Sequence, residues 1–280
     1  MRRWTLLPIL ALAAGCASPV PAHTTVLAAP RLAIPAPAAP PAPAPPPRPA
    51  AADVVAAVRG VEGSAEVGVL VVDRQTGDDL LASGADRRFR SASLVKLLIA
   101  VDVLAAGADA GLRQRVATML RLSDDGIASE LWVARGGSAL VARVAGRVGL
   151  TGTRPPARPG QWGDVLITAR DVARVYDHVL DELPGADRAL VVDALAAAPR
   201  RAADGFDQHF GIPDGLAARW AVKQGWSNSA TDIVTHSTGL VGEGWRYVVV
   251  LLTEHPRPTR WSTACASVTA GARSLAVLFL

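Results

Sequence analysis

The residues that could do chemistry in this chain are two lysines and the serines beside them. Of 29 basic side chains only Lys96 and Lys223 are lysines. So strong a bias to arginine in an Ala-rich chain reflects base composition, so a lysine that survives it is informative. A desolvated lysine can release its proton and an arginine cannot. Ser93-Leu94-Val95-Lys96 puts the hydroxyl and the amine three positions apart, on one face of a helix. Over 94–104 the only charged residues are Lys96 and Asp102, which predicts a central helix buried on nearly every face. Burial lowers the pKa of a lysine. A neutral amine next to a hydroxyl is a nucleophile with its base. At a helix start, Ser93 also meets free N–H groups and the positive end of the dipole, which favour developing negative charge.

Two further groups follow, Ser123-Asp124-Asp125 and Lys223-Gln224-Gly225. Each of the three has a plainer meaning when taken alone. Ser91 or Ser93 caps a helix and Lys96 snorkels. The second group is a turn with an N-cap for a helix over 127–133. The third is a strand end with a solvated lysine and a glycine bulge.

The elements that must position these groups are legible in outline. Residues 1–15 read as a signal peptide: Arg2-Arg3, then a short apolar stretch over 6–14, then small residues before Cys16. This resembles a bacterial lipobox, with cleavage before Cys16 and lipidation of that cysteine; the alternative is a simple secretory signal cleaved nearby. Either exports the chain. Residues 16–50 form a Pro/Ala-rich tether. Of the chain's 21 prolines, 12 fall within 19–49, which predicts an extended, semi-rigid segment. A folded domain then occupies 51–280. A short helix is expected over 52–59, strands over 66–73 and 79–83, helices through 93–198, strands over 219–224, 232–241 and 245–252, and a last helix over 262–280. Strands at both ends with helices between predict an α/β (α+β) architecture: one antiparallel sheet built from both termini, flanked by helices, with a helical subdomain beside it.

The order S-x-x-K, S-D-x, K-x-G, with both lysines inside it, resembles the serine β-lactamases and penicillin-binding proteins, whose motifs are S-x-x-K, S-D-N and K-T-G. The strand–turn–strand at the start, the Thr168-led helix and the closing strands are similar to the class A β-lactamases. The resemblance implies Ser93 as the nucleophile and Lys96 as its base. It implies that Ser123 passes a proton to the leaving group in contact with Lys223, with the N–H groups of Ser93 and Trp226 as oxyanion hole. Asp125, Gln224, Gly225 and Trp226 would meet the substrate.

The chain departs from the family in ways that bear on turnover. Asp125 stands where the family has asparagine; an ionised carboxylate cannot donate a hydrogen bond, and it can pair with Lys96. Gln224 replaces a hydroxyl residue. The stretch 150–166, in the place of the ω-loop, holds no glutamate to activate water, and its one carboxylate, Asp164, falls late. The stretch 94–122 between the first two motifs is short for class A. The expected function is therefore that of an exported, lipid-anchored serine hydrolase acting by acyl transfer on a small-molecule or peptidoglycan-like peptide substrate, without efficient β-lactam hydrolysis. The alternatives are a non-catalytic binding module of the same fold and a true class A β-lactamase.

Composition narrows the field further. Two cysteines exclude a disulfide scaffold, and five histidines with no H-E-x-x-H pair exclude a zincin-type site. No metal or other cofactor is expected. The net charge of +4 comes from dispersed arginines, which does not suggest nucleic-acid binding. A monomer is expected. Cys265 and His236 read as packing residues. Trp162 and Trp226 read as cleft or rim residues, and Asp204, Asp207 and His209 as a surface loop.

Overall fold

The computed structural model describes residues 49–279. The signal peptide, Cys16 and most of the Pro/Ala-rich tether lie outside the described residues. In chain order the elements are α1 (Ala51–Val61), β1 (Glu66–Asp73), β2 (Asp78–Ser83), β3 (Phe89–Arg90), α2 (Val95–Ala105), α3 (Ala110–Leu122), α4 (Asp125–Ala134), α5 (Ser138–Val148), β4 (Leu166–Ile167), α6 (Ala169–Asp181), α7 (Gly185–Ala196), α8 (Ile212–Gly215), β5 (Trp220–Asn228), β6 (Asp232–Val241), β7 (Tyr247–Pro256) and α9 (Trp261–Ser274). The main sheet has the order β2-β1-β7-β6-β5, with every pair antiparallel. Strands from both ends of the chain meet at the β1–β7 ladder, as the sequence pattern predicts.

Strand alternation sorts the sheet between two cores. Val248, Val250 and Leu252 of β7 join the core shared with α2 and α6, while Val249 and Leu251 join the core under α1 and α9. A strand buried on both faces reads as an unbroken apolar run, which is why β7 is so evident in sequence. Helix α2 lies at the centre of the first core. Every residue from Val95 to Leu104 is buried. Its buried Asp102 is neutralised by Arg135 Nε at 2.7 Å and Arg143 Nη2 at 2.9 Å, which ties α4 and α5 to the central helix.

Several boundaries differ from the sequence reading, each for a local reason. Strand β5 does not end at 224 but runs to Asn228, because its ladder with β6 continues through Trp226↔Thr235 and Asn228↔Ile233. Gly225 pairs with His236 in regular register, so there is no glycine bulge. The last strand starts at Tyr247 because Glu243–Trp245 forms a 3-10 turn, with Gly242 and Gly244 at positive φ. Helix α9 stops at Ser274, followed by a short 3-10 turn over Ala276–Phe279.

His236, inside β6, is fully buried. Its Nδ1 accepts the Thr253 N–H at 3.2 Å, so its Nε2 carries the proton and donates to the Arg90 carbonyl at 2.7 Å. The ring is thus a neutral tie between β6, β7 and β3. Burial lowers its pKa from 6.5 to about 4. The unfolded chain takes up this proton near pH 6.5 and the folded chain only near 4. Stability is therefore complete above about 6.5 and is lost as pH falls toward 4. Urea unfolding of the wild type should show a midpoint falling across this window, with His236 contributing about 3 kcal/mol. A flat midpoint would exclude a buried neutral His236.

Candidate active site

The Ser93 turn is built by strain and close approach. A 3-10 turn over Ala92–Leu94 leads into α2, with Ala92 at φ +45°, a conformation that costs a non-glycine residue about 1 kcal/mol. Ser91 is not a side-chain cap. Its Oγ donates to the carbonyls of Ala92 and Gly163, and its N–H donates to the Val165 carbonyl at 2.7 Å. Strand β5 presses on the same turn at Gly225. A Cβ there would sit 3.1 Å from the Ser91 carbonyl oxygen and 3.3 Å from Leu94 Cγ. Glycine at this position is what allows the strand to lie so close to Ser93.

Helical spacing brings Lys96 Nζ to 2.6 Å from Ser93 Oγ. The lysine does not snorkel: it is fully buried, and the Trp162 ring covers its Nζ at 4.6 Å. The same Nζ donates to Asp125 Oδ1 at 2.5 Å. Burial pushes the Lys96 pKa down, and the Asp125 carboxylate pushes against that shift without cancelling it.

Ser123 closes α3 in the left-handed conformation, φ +54°, which turns its side chain away from the helix path. Asp124 is the N-cap of α4, accepting the Ile127 N–H at 2.9 Å, so α4 begins at Asp125 rather than at 127. The Ser123 Oγ receives Lys223 Nζ at 2.9 Å, and Lys223 also donates to the Gln224 carbonyl at 2.9 Å. Lys223 is not a solvated strand end. It is buried at 1% exposure, and its pKa is lowered further than that of Lys96, first by burial and then by the charge on Lys96. Its backbone is fixed by a relay from α6, in which the Tyr176 hydroxyl meets Thr238 Oγ1 at 2.9 Å and Thr238 donates to the Lys223 carbonyl at 2.8 Å.

Four of the sequence-derived residues thus form one cluster: Ser93, Lys96, Ser123 and Lys223. Asp125 joins it, and Trp226 and Ser93 line a cavity of about 270 Å³ with Asp125, Trp162 and Asp164. Gln224 faces elsewhere. Adjacent strand residues point to opposite faces, and the Gln224 amide donates to the Phe210 carbonyl at 2.5 Å while its Oε1 is buried without a partner. The expected contact of Gln224 with substrate is therefore not made by this geometry. Trp226 is held by Asp204, which accepts its Nε1 at 3.0 Å, and it stacks on Phe206 at 4.8 Å.

The sequence reading missed Arg90, Gln161, Ser227 and Asn228 as cavity residues; Asp164, read as too late to replace the family's glutamate, lines the cavity as well. The wall carrying Gln161–Asp164 is set by contacts remote in sequence. Asp171 accepts the N–H groups of Thr151, Gly152 and Thr153, and Trp132 donates to the Pro159 carbonyl at 3.0 Å. Asp164 is tied to Arg158 at 3.3 Å and Arg90 at 3.6 Å, and Arg90 also pairs with Asp232. Asp207 pairs with Arg200, and His209 Nε2 meets the Ala198 carbonyl at 2.8 Å.

No family model matches the chain. Solved structures show its fold to be that of the class A β-lactamases and penicillin-binding proteins. A class A β-lactamase from Bacteroides cellulosilyticus superposes with a TM-score of 0.65 at 12% identity, covering 81% of this chain and 97% of that one. PBP-A superposes with a TM-score of 0.62 at 18% identity, covering 82% and 97%. A much nearer sequence relative is the Mycobacterium tuberculosis protein named "Putative lipoprotein LppW", 40% identical over 222 residues that cover 75% of this chain and 69% of the relative. The chain belongs to the LppW family.

With two lysines in the whole chain, 13Cε-lysine labelling yields two side-chain signals. Both are expected to titrate below 10.5, Lys223 lower than Lys96. Asp125→Asn should move the Lys96 signal further down, since it removes the carboxylate that holds the ammonium. An upward or absent shift would refute the coupling.

Proposed function

We propose that this protein is an exported, lipid-anchored serine hydrolase of the cell envelope that works by acyl transfer through Ser93. The observation that carries the reading is the pair of contacts Lys96 Nζ to Ser93 Oγ at 2.6 Å and Lys223 Nζ to Ser123 Oγ at 2.9 Å. Neutral Lys96 takes the Ser93 proton as Oγ bonds to the substrate carbonyl carbon. The bond to the leaving group then breaks; Ser123, held by Lys223, hands that group its proton and is reprotonated with the one Lys96 took from Ser93. The burial that lowers the Lys96 pKa supports its role as base. The N–H groups of Ser93 and Trp226 are assigned to the oxyanion.

Hydrolysis of the acyl-enzyme is assigned a low rate. The stretch 150–166 has no glutamate, and Asp164 is engaged by two arginines. The substrate class is a small molecule or a peptidoglycan-like peptide, and the enzyme acts as a monomer. The name of the mycobacterial relative supports the anchor, with Cys16 as the lipidated residue on the outer face of the membrane. Among the described residues no helix is long and apolar enough to cross a membrane. The second reading is a binding module that has lost turnover; the 2.5 Å contact of Asp125 with Lys96 favours it, because that contact stabilises the ammonium form.

Intact mass spectrometry after incubation with penicillin G and with a fluorophosphonate separates the two. A lasting adduct on the wild type, absent from Ser93→Ala and formed about a thousandfold more slowly by Lys96→Ala, is the expected result. No adduct from either probe would leave the binding module. Rapid loss of the penicillin adduct with steady turnover would make the protein a competent β-lactamase.

A further inference from the structure

The cavity in front of Ser93 has an unusual charge arrangement. Lys96 and Lys223 lie behind its wall, buried and bonded to Ser93, Asp125 and Ser123. Arg90 reaches the lining, but it pairs with Asp232 and Asp164 and donates to Ser227 Oγ. Gln224 is turned toward Phe210. Among the described residues, no lining cation is left to hold a substrate carboxylate.

Asp125 is different. Its Oδ1 accepts from buried Lys96, yet 62% of its side chain is exposed, and Oδ2 takes no hydrogen bond among the described residues. The two short contacts of Lys96 Nζ place this carboxylate within about 5 Å of the Ser93 hydroxyl. Trp162, whose ring already covers Lys96 Nζ, lines the same cavity and shows that its wall tolerates a cation.

We infer that the substrate of Ser93 carries a protonated amine close to its acyl carbonyl, and that the outward half of the Asp125 carboxylate receives it. This rests on the acyl-transfer reading. Asp125 is then a two-sided group. It holds Lys96 from behind while the cavity is empty, and an arriving ammonium competes with Lys96 for its charge. An amine-bearing substrate is thus both bound and helped to free the base. An asparagine, with one accepting oxygen and no charge, could not play both parts.

Ampicillin and penicillin G share one reactive ring and differ by a single amino group next to the side-chain carbonyl, which makes them the probes. With the full chain in detergent, below neutral pH, ampicillin should acylate Ser93 about fivefold faster than penicillin G, the size of a partly solvated ion pair. In Asp125→Asn the ratio should collapse to about one, whatever happens to the separate rates. A wild-type ratio near one, or a preference that survives Asp125→Asn, overturns the inference. If the variant does not fold, wild-type protein is tested with phenylglycinamide against its uncharged analogue phenylacetamide, read by intrinsic tryptophan fluorescence. Tighter binding of the cation supports the inference and equal binding overturns it. If neither β-lactam nor fluorophosphonate labels Ser93, the acyl-transfer reading falls, and this second measurement still decides whether the cavity selects an amine.

Discussion

The structure depends on burying two amines side by side. An ammonium taken out of water loses several kcal/mol of hydration unless partners replace it. Lys96 and Lys223 also lower each other's proton affinity, since each disfavours the charged form of its neighbour. The chain answers with short contacts from four elements. Asp125 at the start of α4 and Ser93 before α2 hold Lys96, and Ser123 at the end of α3 and the Gln224 carbonyl in β5 hold Lys223. Helical subdomain and sheet therefore meet at a polar seam inside an otherwise apolar core. The Tyr176–Thr238–Lys223 relay and the Asp102–Arg135–Arg143 cluster secure the elements on either side of it.

That seam explains why so much was legible in the sequence. Ser93 and Lys96 stand out because helical spacing puts them together, and because an arginine-rich chain kept a lysine there. The five-stranded sheet was readable because β1 and β7, buried on both faces, appear as continuous apolar runs. The Asp125–Lys96 contact followed from the resemblance, which sets Asp125 where the family has an asparagine near this lysine. Strand parity, by contrast, was overlooked. Lys223 and Gln224 are neighbours on β5, so a Lys223 that faces the seam forces Gln224 to the opposite side. The resemblance to K-T-G suggested a substrate contact that the pleat denies.

The rest was hidden for a tertiary reason. Arg90 and the wall at Gln161–Asp164 come from short strands and a long loop with no periodicity. The wall's place is fixed through Asp171, seven residues or more further along the chain, which holds 151–153, and through Trp132 from another helix. Asp164, late in this stretch, was not evident as a cavity residue. The 3-10 turn over Trp162–Asp164 folds it back toward Arg90. Signals of this kind are carried by pairs of side chains and not by any single segment.

The replacement of asparagine by Asp125 ties stability and chemistry together. A carboxylate against Lys96 lowers the cost of burying the amine, and in doing so it favours the protonated form that cannot accept from Ser93. A chain selected for stability alone would keep that pair closed on both sides. Here one side is open: most of the Asp125 side chain is exposed, and the residue lines the cavity that holds Ser93. An exposed carboxylate gains little from a fully solvated partner but more from one that loses water on entering the cavity. The same residue that quiets the base at rest is thus the group best placed to respond to what enters the site.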